Sequence, residues 1–281
     1  MAPLFFLLFM FATAIAAGIV GAIVGIGGGL LVTPVLTIIF GVDIHLAIGA
    51  SIISIIATSS GGAAAYVRDR VTNIRVGMFL EIATTVGAIT GAAVAAYINS
   101  QVLFALFGII LMLSILPSIR KRKEELPENV ENDSWSNKLK LSTSYPDQRL
   151  KREVPYKVTR TPIGLGIMYV AGLISGLLGI GSGAFKVLAM EGAMRLPMKV
   201  STTTSNFMIG VTAAASAGIY FVRGDVNPFI VAPVALGILL GANLGTRILL
   251  KAKNTTVRYV FIFVLFGIAV EMIAKALGVG I

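Results

Sequence analysis

Apolar stretches separated by short polar breaks run through the chain at 3–24, 30–40, 44–67, 76–98 and 102–119. A second series follows at 162–179, 184–194, 199–222, 228–250 and 257–278. Most reach the roughly 20 residues a helix needs to cross hydrocarbon, whereas 30–40 and 184–194 are too short. The two series are copies: residues 18–91 reappear at 172–245 with a constant offset of 154 and no gap. Matching pairs include Gly18/Gly172, Gly25/Gly179, Gly27/Gly181, Gly29/Gly183, Ser51/Ser205, Thr58/Thr212, Asn73/Asn227, Gly87/Gly241 and Gly91/Gly245. The pattern predicts a first transmembrane repeat over 1–119, a charged linker over 120–160 and a second repeat over 161–281. Duplicated membrane halves, each broken early by a glycine run, are the pattern of a secondary transporter whose substrate sits at the repeat interface.

Composition agrees. Over 281 residues the chain is 56% hydrophobic and only 13% charged, far outside the soluble range. A net charge of +10 would suit a nucleic-acid binder, but eleven of the 23 Lys and Arg fall in the linker, so nucleic acid is not an expected partner. The lipid bilayer is. No cysteine is present, which removes disulfides, thiolate nucleophiles and Cys-ligated metals. The first twenty residues imitate a signal peptide. They lack a basic start, and Ala17 and Gly18 belong to the duplicated unit, so retention is expected.

Lys and Arg are retained on the cytoplasmic side of membranes, which places the linker there in a multi-pass protein of the cell membrane. If each of the ten stretches changes sides, Arg68, Arg70, Arg75, Arg195, Lys199, Lys251, Lys253 and Arg258 also fall inside. Asp43, 99–101 and 223–227 then fall outside. Five stretches per half is an odd number, so the second copy is upside down. The expected fold is therefore an all-α integral membrane protein of about ten helical segments in two inverted-topology repeats. The short stretches become broken or re-entrant helices, because non-helical backbone survives at membrane depth only when buried or facing water.

Candidate chemistry gathers near the glycine runs. Gly27, Gly28 and Gly29, with Gly181, Ser182 and Gly183, let the backbone approach closely and turn its amides toward an anion. The second run fits a loose dinucleotide fingerprint, yet no strand precedes it and no acidic residue follows about 20 positions on; it fails as a P-loop too. Ser51, Thr204, Ser205 and Asn206 offer uncharged donors inside spanning helices, where polar groups need partners or a ligand. Lys186 is a deep cation, able to anchor an anion or to pair with Glu191. Glu81 and Glu271 are candidate coupling carboxylates, although Glu81 lies six residues from Arg75 and could pair there. The lone His45 beside Asp43 has no further ligands to make a metal site. Arg68-Asp-Arg70 and Arg223-Gly-Asp225 read as interfacial caps, with Tyr66 and Tyr220 as belt aromatics. Gly87-Ala-Ile-Thr-Gly91 and Gly241-Ala-Asn-Leu-Gly245 read as packing faces where the halves, or two protomers of a homodimer, touch. The linker, with prolines at 127, 146 and 155, reads as a solvated tether with a short helix around 135–141.

The run Gly25 to Gly29 followed by Leu30-Leu-Val-Thr-Pro34, and the stretch Val200-Ser-Thr-Thr-Thr-Ser-Asn-Phe-Met-Ile-Gly210, resemble the sulfite exporter TauE/SafE family over nearly the whole chain except the linker. The resemblance implies transport of small sulfur-containing anions such as sulfite or organosulfonates, for example sulfoacetate, usually out of the cytoplasm. Ser182 departs from it, standing where the first run has Gly28. No cofactor and no enzymatic reaction are expected, since paired acid and base groups at the midplane are missing. A passive anion channel and a membrane scaffold are the alternatives.

Overall fold

The computed structural model describes residues 3–24, 29–68, 70–119, 130–147, 152–249 and 254–279. The first half comprises α1 (Pro3–Val24), α2 (Gly29–Ile39), α3 (Ile44–Arg68), α4 (Ile74–Ala95) and α5 (Ser100–Ile119). The linker forms α6 (Ser134–Lys138) and the strands β1 (Thr143–Asp147) and β2 (Arg152–Tyr156). The second half comprises α7 (Thr161–Leu178), α8 (Gly183–Leu188, extended by a π turn over Ala189–Ala193), α9 (Met198–Val222), α10 (Pro228–Leu249) and α11 (Asn254–Ala276). The starts of α8, α9, α10 and α11 each lie 154 positions after those of α2, α3, α4 and α5. The same local signals produce them: Asn73 Oδ1 caps α4 by accepting from Val76 N at 3.0 Å, and Asn227 Oδ1 accepts from Phe229 N at 3.0 Å at the start of α10.

Contacts across the bundle fix the directions of the helices. Gly49 lies against Asp225 while Gly210 lies against Ser59, so the equivalent helices α3 and α9 run antiparallel. Likewise, Gly108 of α5 meets Ala269 and Ile273 of α11, while Phe104 lies under Lys275. Antiparallel equivalents mean inverted repeats. The first helices are exchanged between halves: α1 packs along α10, and α7 along α4. Each of these two seams is made by glycine. A Cβ at Gly87 would stand 2.2 Å from the Tyr169 carbonyl oxygen, and one at Gly176 would stand 2.0 Å from that of Ala88. Gly241 would meet Ile15 O at 2.2 Å in the same way. Small residues thus bring backbones together where apolar burial gives no net drive between helices in lipid. Ile82, Val86 and Ile89 of α4 point outward instead and are exposed for contact with lipid.

One expectation changes. The short stretches do not change sides by themselves. Thr159 N donates to Met194 O at 3.2 Å, joining the start of α7 to the end of the π turn, and Phe40 just after α2 stacks on Phe6 and Phe9 of α1. Each long first helix and its short partner therefore form a hairpin that returns to its own side. Three net crossings per half remain, still an odd number, so Arg75, Arg195 and Lys199 share the linker's side and Asp43 and Asp225 lie opposite.

The linker is not the solvated tether its charges suggest. Its short helix forms, capped by Asp133 Oδ1 accepting from Ser136 N at 2.7 Å. Beyond it, β1 and β2 pair as an antiparallel hairpin, with Tyr145 opposite Val154 and Thr143 opposite Tyr156. Tyr145, Val154 and Tyr156 turn inward and join a cluster with Leu80, Met190, Val200 and Met208 of the membrane helices. Asn73 Nδ2 fastens it by donating to Leu141 O and Tyr156 Oη, both at 2.8 Å, and Lys199 Nζ donates to Asp147 Oδ2 at 3.0 Å. Burial raises the Tyr156 phenol above its ordinary pKa, so it stays neutral.

Candidate functional site

Gly29 and Gly179, one from each glycine run, come together on α3. Gly179 ends α7 in the left-handed conformation, φ 65°, with its N–H bonded to Ser175 O at 2.8 Å. The following turn holds Gly181 at φ 71° and Ser182 at φ 45° before α8 begins. Ser51 Oγ on α3 donates a shared hydrogen bond to the carbonyls of Gly29 at 2.6 Å and Gly179 at 2.7 Å, so a single hydroxyl joins the two runs. Its repeat equivalent, Ser205 on α9, donates to Gly183 O at 3.1 Å. The same inverted symmetry places Ile55 over Gly29 and Ile209 over Gly183, with Gly181 between the two isoleucines. Ser51, Ser182, Lys186 and Ser205 are all buried.

Ser182 differs from its neighbours. It adopts a left-handed backbone that glycine accepts without cost, and its Oγ is buried with no hydrogen-bond partner among the described residues. A strained backbone and an unpaired buried hydroxyl both cost stability, and such costs concentrate at functional sites.

Beyond this turn, Lys186 on α8 is fully buried and its Nζ donates to Thr212 Oγ1 at 2.5 Å. Thr212 in turn donates to Glu81 Oε1 of α4 at 2.6 Å, and Thr85 Oγ1 adds a bond at 3.3 Å. Glu81 Oε2 lies 4.0 Å from Lys186 Nζ with no hydrogen-bond donor of its own. Lys186 therefore pairs across helices with Glu81, not with Glu191, and Glu81 does not pair with Arg75, whose guanidinium donates to Lys140 O. The half-helices are both irregular at one repeat position: Pro34 interrupts α2, and the π turn starts one residue after its equivalent, Leu188. Such π insertions are common where helices serve a function.

The remaining candidates separate. Thr204 faces away from the glycine turns and accepts from Asn73 N at 3.1 Å, one helical position from Ser205 and on a different face. Asn206 is half-buried and bonds to no described residue. Glu271 sits on α11, which packs on α5, α1 and α2 and not beside Glu81. Gly27 and Gly28 lie outside the described residues, as do Asp69 and the side chain of Tyr66. Tyr220 is not a belt aromatic: it is fully buried and donates to Gly176 O at 2.8 Å. Arg223 does cap its helix, pairing with Asp225 at 2.9 Å and bonding Ala92 O. His45 contacts Asp43 Oδ1 and Ala95 O. Sequence reasoning passed over Thr212, Ile55 and Ile209 as site residues, although the duplication itself pairs Thr212 with Thr58 and Ile209 with Ile55.

Inverted repeats of spanning helices, with two broken helices meeting at a buried polar centre, define a membrane transporter. The chain belongs to the sulfite exporter TauE/SafE family, whose profile matches residues 10–272. It is 28% identical to the probable membrane transporter protein YunE of Bacillus subtilis (strain 168), over 93% of this chain and 95% of that protein. To the probable membrane transporter protein YdhB of the same organism it is 29% identical, over 86% of this chain and 88% of that protein. A probable membrane transporter protein of Xylella fastidiosa (strain Temecula1 / ATCC 700964) is 24% identical, over 93% and 94%. No solved structure matches the chain significantly.

Proposed function

We propose that the protein is a secondary transporter that exports small sulfur-containing anions, such as sulfite or organosulfonates like sulfoacetate, across the cytoplasmic membrane by alternating access. The linker then faces the cytoplasm, in keeping with its Lys and Arg content. The observation that carries the reading is the bonding of Ser51 to both Gly29 and Gly179, with the unpaired Ser182 hydroxyl three residues beyond Gly179 and the buried Lys186 one helical turn further. A sulfonate or sulfite presents several acceptor oxygens and at least one negative charge. Ser182 Oγ–H, the amides near Gly181 and Gly183, and Lys186 together supply uncharged donors and one cation to match it. Asn206, which bonds to no described residue, completes the shell from α9. Ser51 and Ser205 serve the site by holding the turns, since their hydroxyls already bond to backbone.

The burial of Ser51, Ser182, Lys186 and Ser205 favours a carrier over an open pore. Purified protein in liposomes tests this through uptake of labelled sulfite, sulfoacetate and a plain carboxylate. Saturable uptake selective for the sulfur anions, falling at least about tenfold in Lys186→Met, is expected, because the buried cation's loss removes its charge-assisted bonds. Uptake no greater than in empty liposomes would dismiss the transporter of sulfur anions. Accumulation above the outside concentration separates a carrier from a passive channel.

A further inference from the structure

We propose that Glu81 and the transported anion compete for Lys186, so that every anion entering the site is accompanied by one proton taken up by Glu81. The proposal rests on the reading of the protein as an anion transporter. Its basis is the arrangement of three side chains from three helices. Lys186, with no exposed surface, contacts one charged partner among the described residues, the Glu81 carboxylate, both directly at 4.0 Å and through Thr212. The relay has a direction. Lysine can only donate, so Thr212 accepts from it, and the one Thr212 hydroxyl proton is shared between Glu81 Oε1 at 2.6 Å and Met208 O at 2.9 Å. Glu81 Oε2 is left buried and without a donor among the described residues, an oxygen open to receive a proton.

Charge balance supplies the coupling. Without an anion, the buried ammonium and carboxylate neutralise each other. An arriving anion would add an uncompensated negative charge in a low-dielectric interior, which is strongly unfavourable. Uptake of one proton converts Glu81–COO⁻ to Glu81–COOH. Lys186 then turns its charge to the anion, and for a monovalent anion the site is neutral before and after. Release on the other side reverses both events, returning the proton to water and Lys186 to Glu81.

Other titratable groups on the surrounding elements are engaged elsewhere. On α7, Tyr169 Oη meets Thr90 Oγ1. On α9, Lys199 binds Asp147, Tyr220 binds Gly176 O and Arg223 binds Asp225. Glu191 lies on the π turn five residues beyond Lys186. Arg75, on the first turn of α4, bonds to the linker.

The experiment counts protons. Methanesulfonate carries a single charge and is fully ionised between pH 6 and 8, so a proton that arrives with it is carried by the protein and not by the substrate. Sulfite, which titrates in that range, and sulfoacetate, a dianion there, would not make the distinction. Liposomes holding a pH-sensitive dye and the wild-type protein should acidify inside as labelled methanesulfonate enters, with about one proton per anion. In Glu81→Gln, Lys186 is permanently unpaired. The anion entry this variant retains should then carry at least tenfold fewer protons per anion and show no response to an imposed pH gradient. Methanesulfonate entry by the wild type without protons, or a Glu81→Gln variant that keeps its proton ratio, overturns the competition while leaving the transporter reading intact. Absence of any anion uptake by the wild type overturns both. Because the wild-type stoichiometry needs no variant, the proposal stays decidable if Glu81→Gln does not fold.

Discussion

Gly176→Ala should separate the two helices that carry the exchanged repeat contacts. The added Cβ would lie 2.0 Å from the Ala88 carbonyl oxygen, 2.7 Å from its carbon and 2.8 Å from its Cα. All three are backbone atoms, so no side-chain rotation relieves the overlap. Favourable non-bonded contact begins near 3.5 Å, which requires α4 and α7 to part by about 1.5 Å at this level. Overpacking of this kind costs about 1–3 kcal/mol, and alanine's better helix propensity returns up to about 1 kcal/mol. A net loss of about 1–2 kcal/mol lowers Tm by roughly 2–8 °C in a chain of this size. The control is Gly166→Ala on the same helix, where a Cβ meets nothing within 4 Å and only the propensity gain applies. Thermal unfolding of both variants in detergent, followed by circular dichroism, makes the comparison. Equal Tm values for Gly176→Ala and Gly166→Ala would refute the close approach of α4 and α7, and with it the glycine seam as the joint between halves.

Ser182→Gly should stabilise the fold and impair transport together. The left-handed backbone at φ 45° costs an L residue about 1–2 kcal/mol that glycine does not bear, while loss of the hydroxyl should raise KM for sulfoacetate severalfold. Thermal unfolding and uptake on the same preparation test both, and a lower Tm or an unchanged KM goes against the strained-donor role. Tyr156→Phe should make linker docking insensitive to alkali. The raised phenol pKa means the folded state holds its proton to higher pH than the unfolded one does. The contribution is therefore complete below pH about 10 and is lost as pH rises through and beyond it. Trp135, the single tryptophan and 6.0 Å from Phe79, reports docking by its fluorescence. The wild type should undock above pH about 10, and Tyr156→Phe should dock more weakly at neutral pH but without the alkaline step.

The duplication made most of the backbone readable in advance, because a residue pattern copied at one offset has to make the same helix twice. Helix starts agree between halves for that reason, and so does the bond from Ser51 to Gly29 with that from Ser205 to Gly183. The linker hairpin was not readable. Thr-Ser-Tyr-Pro-Asp and Arg-Glu-Val-Pro-Tyr each carry a proline, and two strands alone are barely stable; they pair here because Tyr145, Val154 and Tyr156 pack on Leu80 and Val200. The ion-pair partners were also hidden. Positions five or six apart on a helix, such as Lys186 and Glu191 or Arg75 and Glu81, do not share a face, so the true partner of Lys186 had to come from another helix.

Where the repeats disagree, chemistry has replaced symmetry. Val32 stands in the first half where Lys186 stands in the second, Ala235 where the first half has Glu81, and Thr58 repeats Thr212 without a charge beside it. An inverted repeat with identical halves has two conformations of equal energy, one open to each side, related by exchange of the halves' roles. The charged trio has no counterpart in the other half, and Leu80, next to Glu81, packs in the cluster with Tyr145 and Tyr156 of the linker. On the alternating-access reading proposed above, opening toward the linker would expose Lys186 and Glu81 to water, whereas opening the other way would expose the apolar equivalents Val32 and Ala235. Hydration of two ions is worth far more than hydration of two small apolar groups, so on that reading the charges would tilt an otherwise even equilibrium toward the linker side. With an anion and a proton bound, the charged pair becomes Lys186 and the anion, so the size of the tilt would change with occupancy. Occupancy of a single asymmetric site can thereby shift the access of the whole bundle, since a ligand moves a conformational equilibrium only through its different free energy of interaction with the two states.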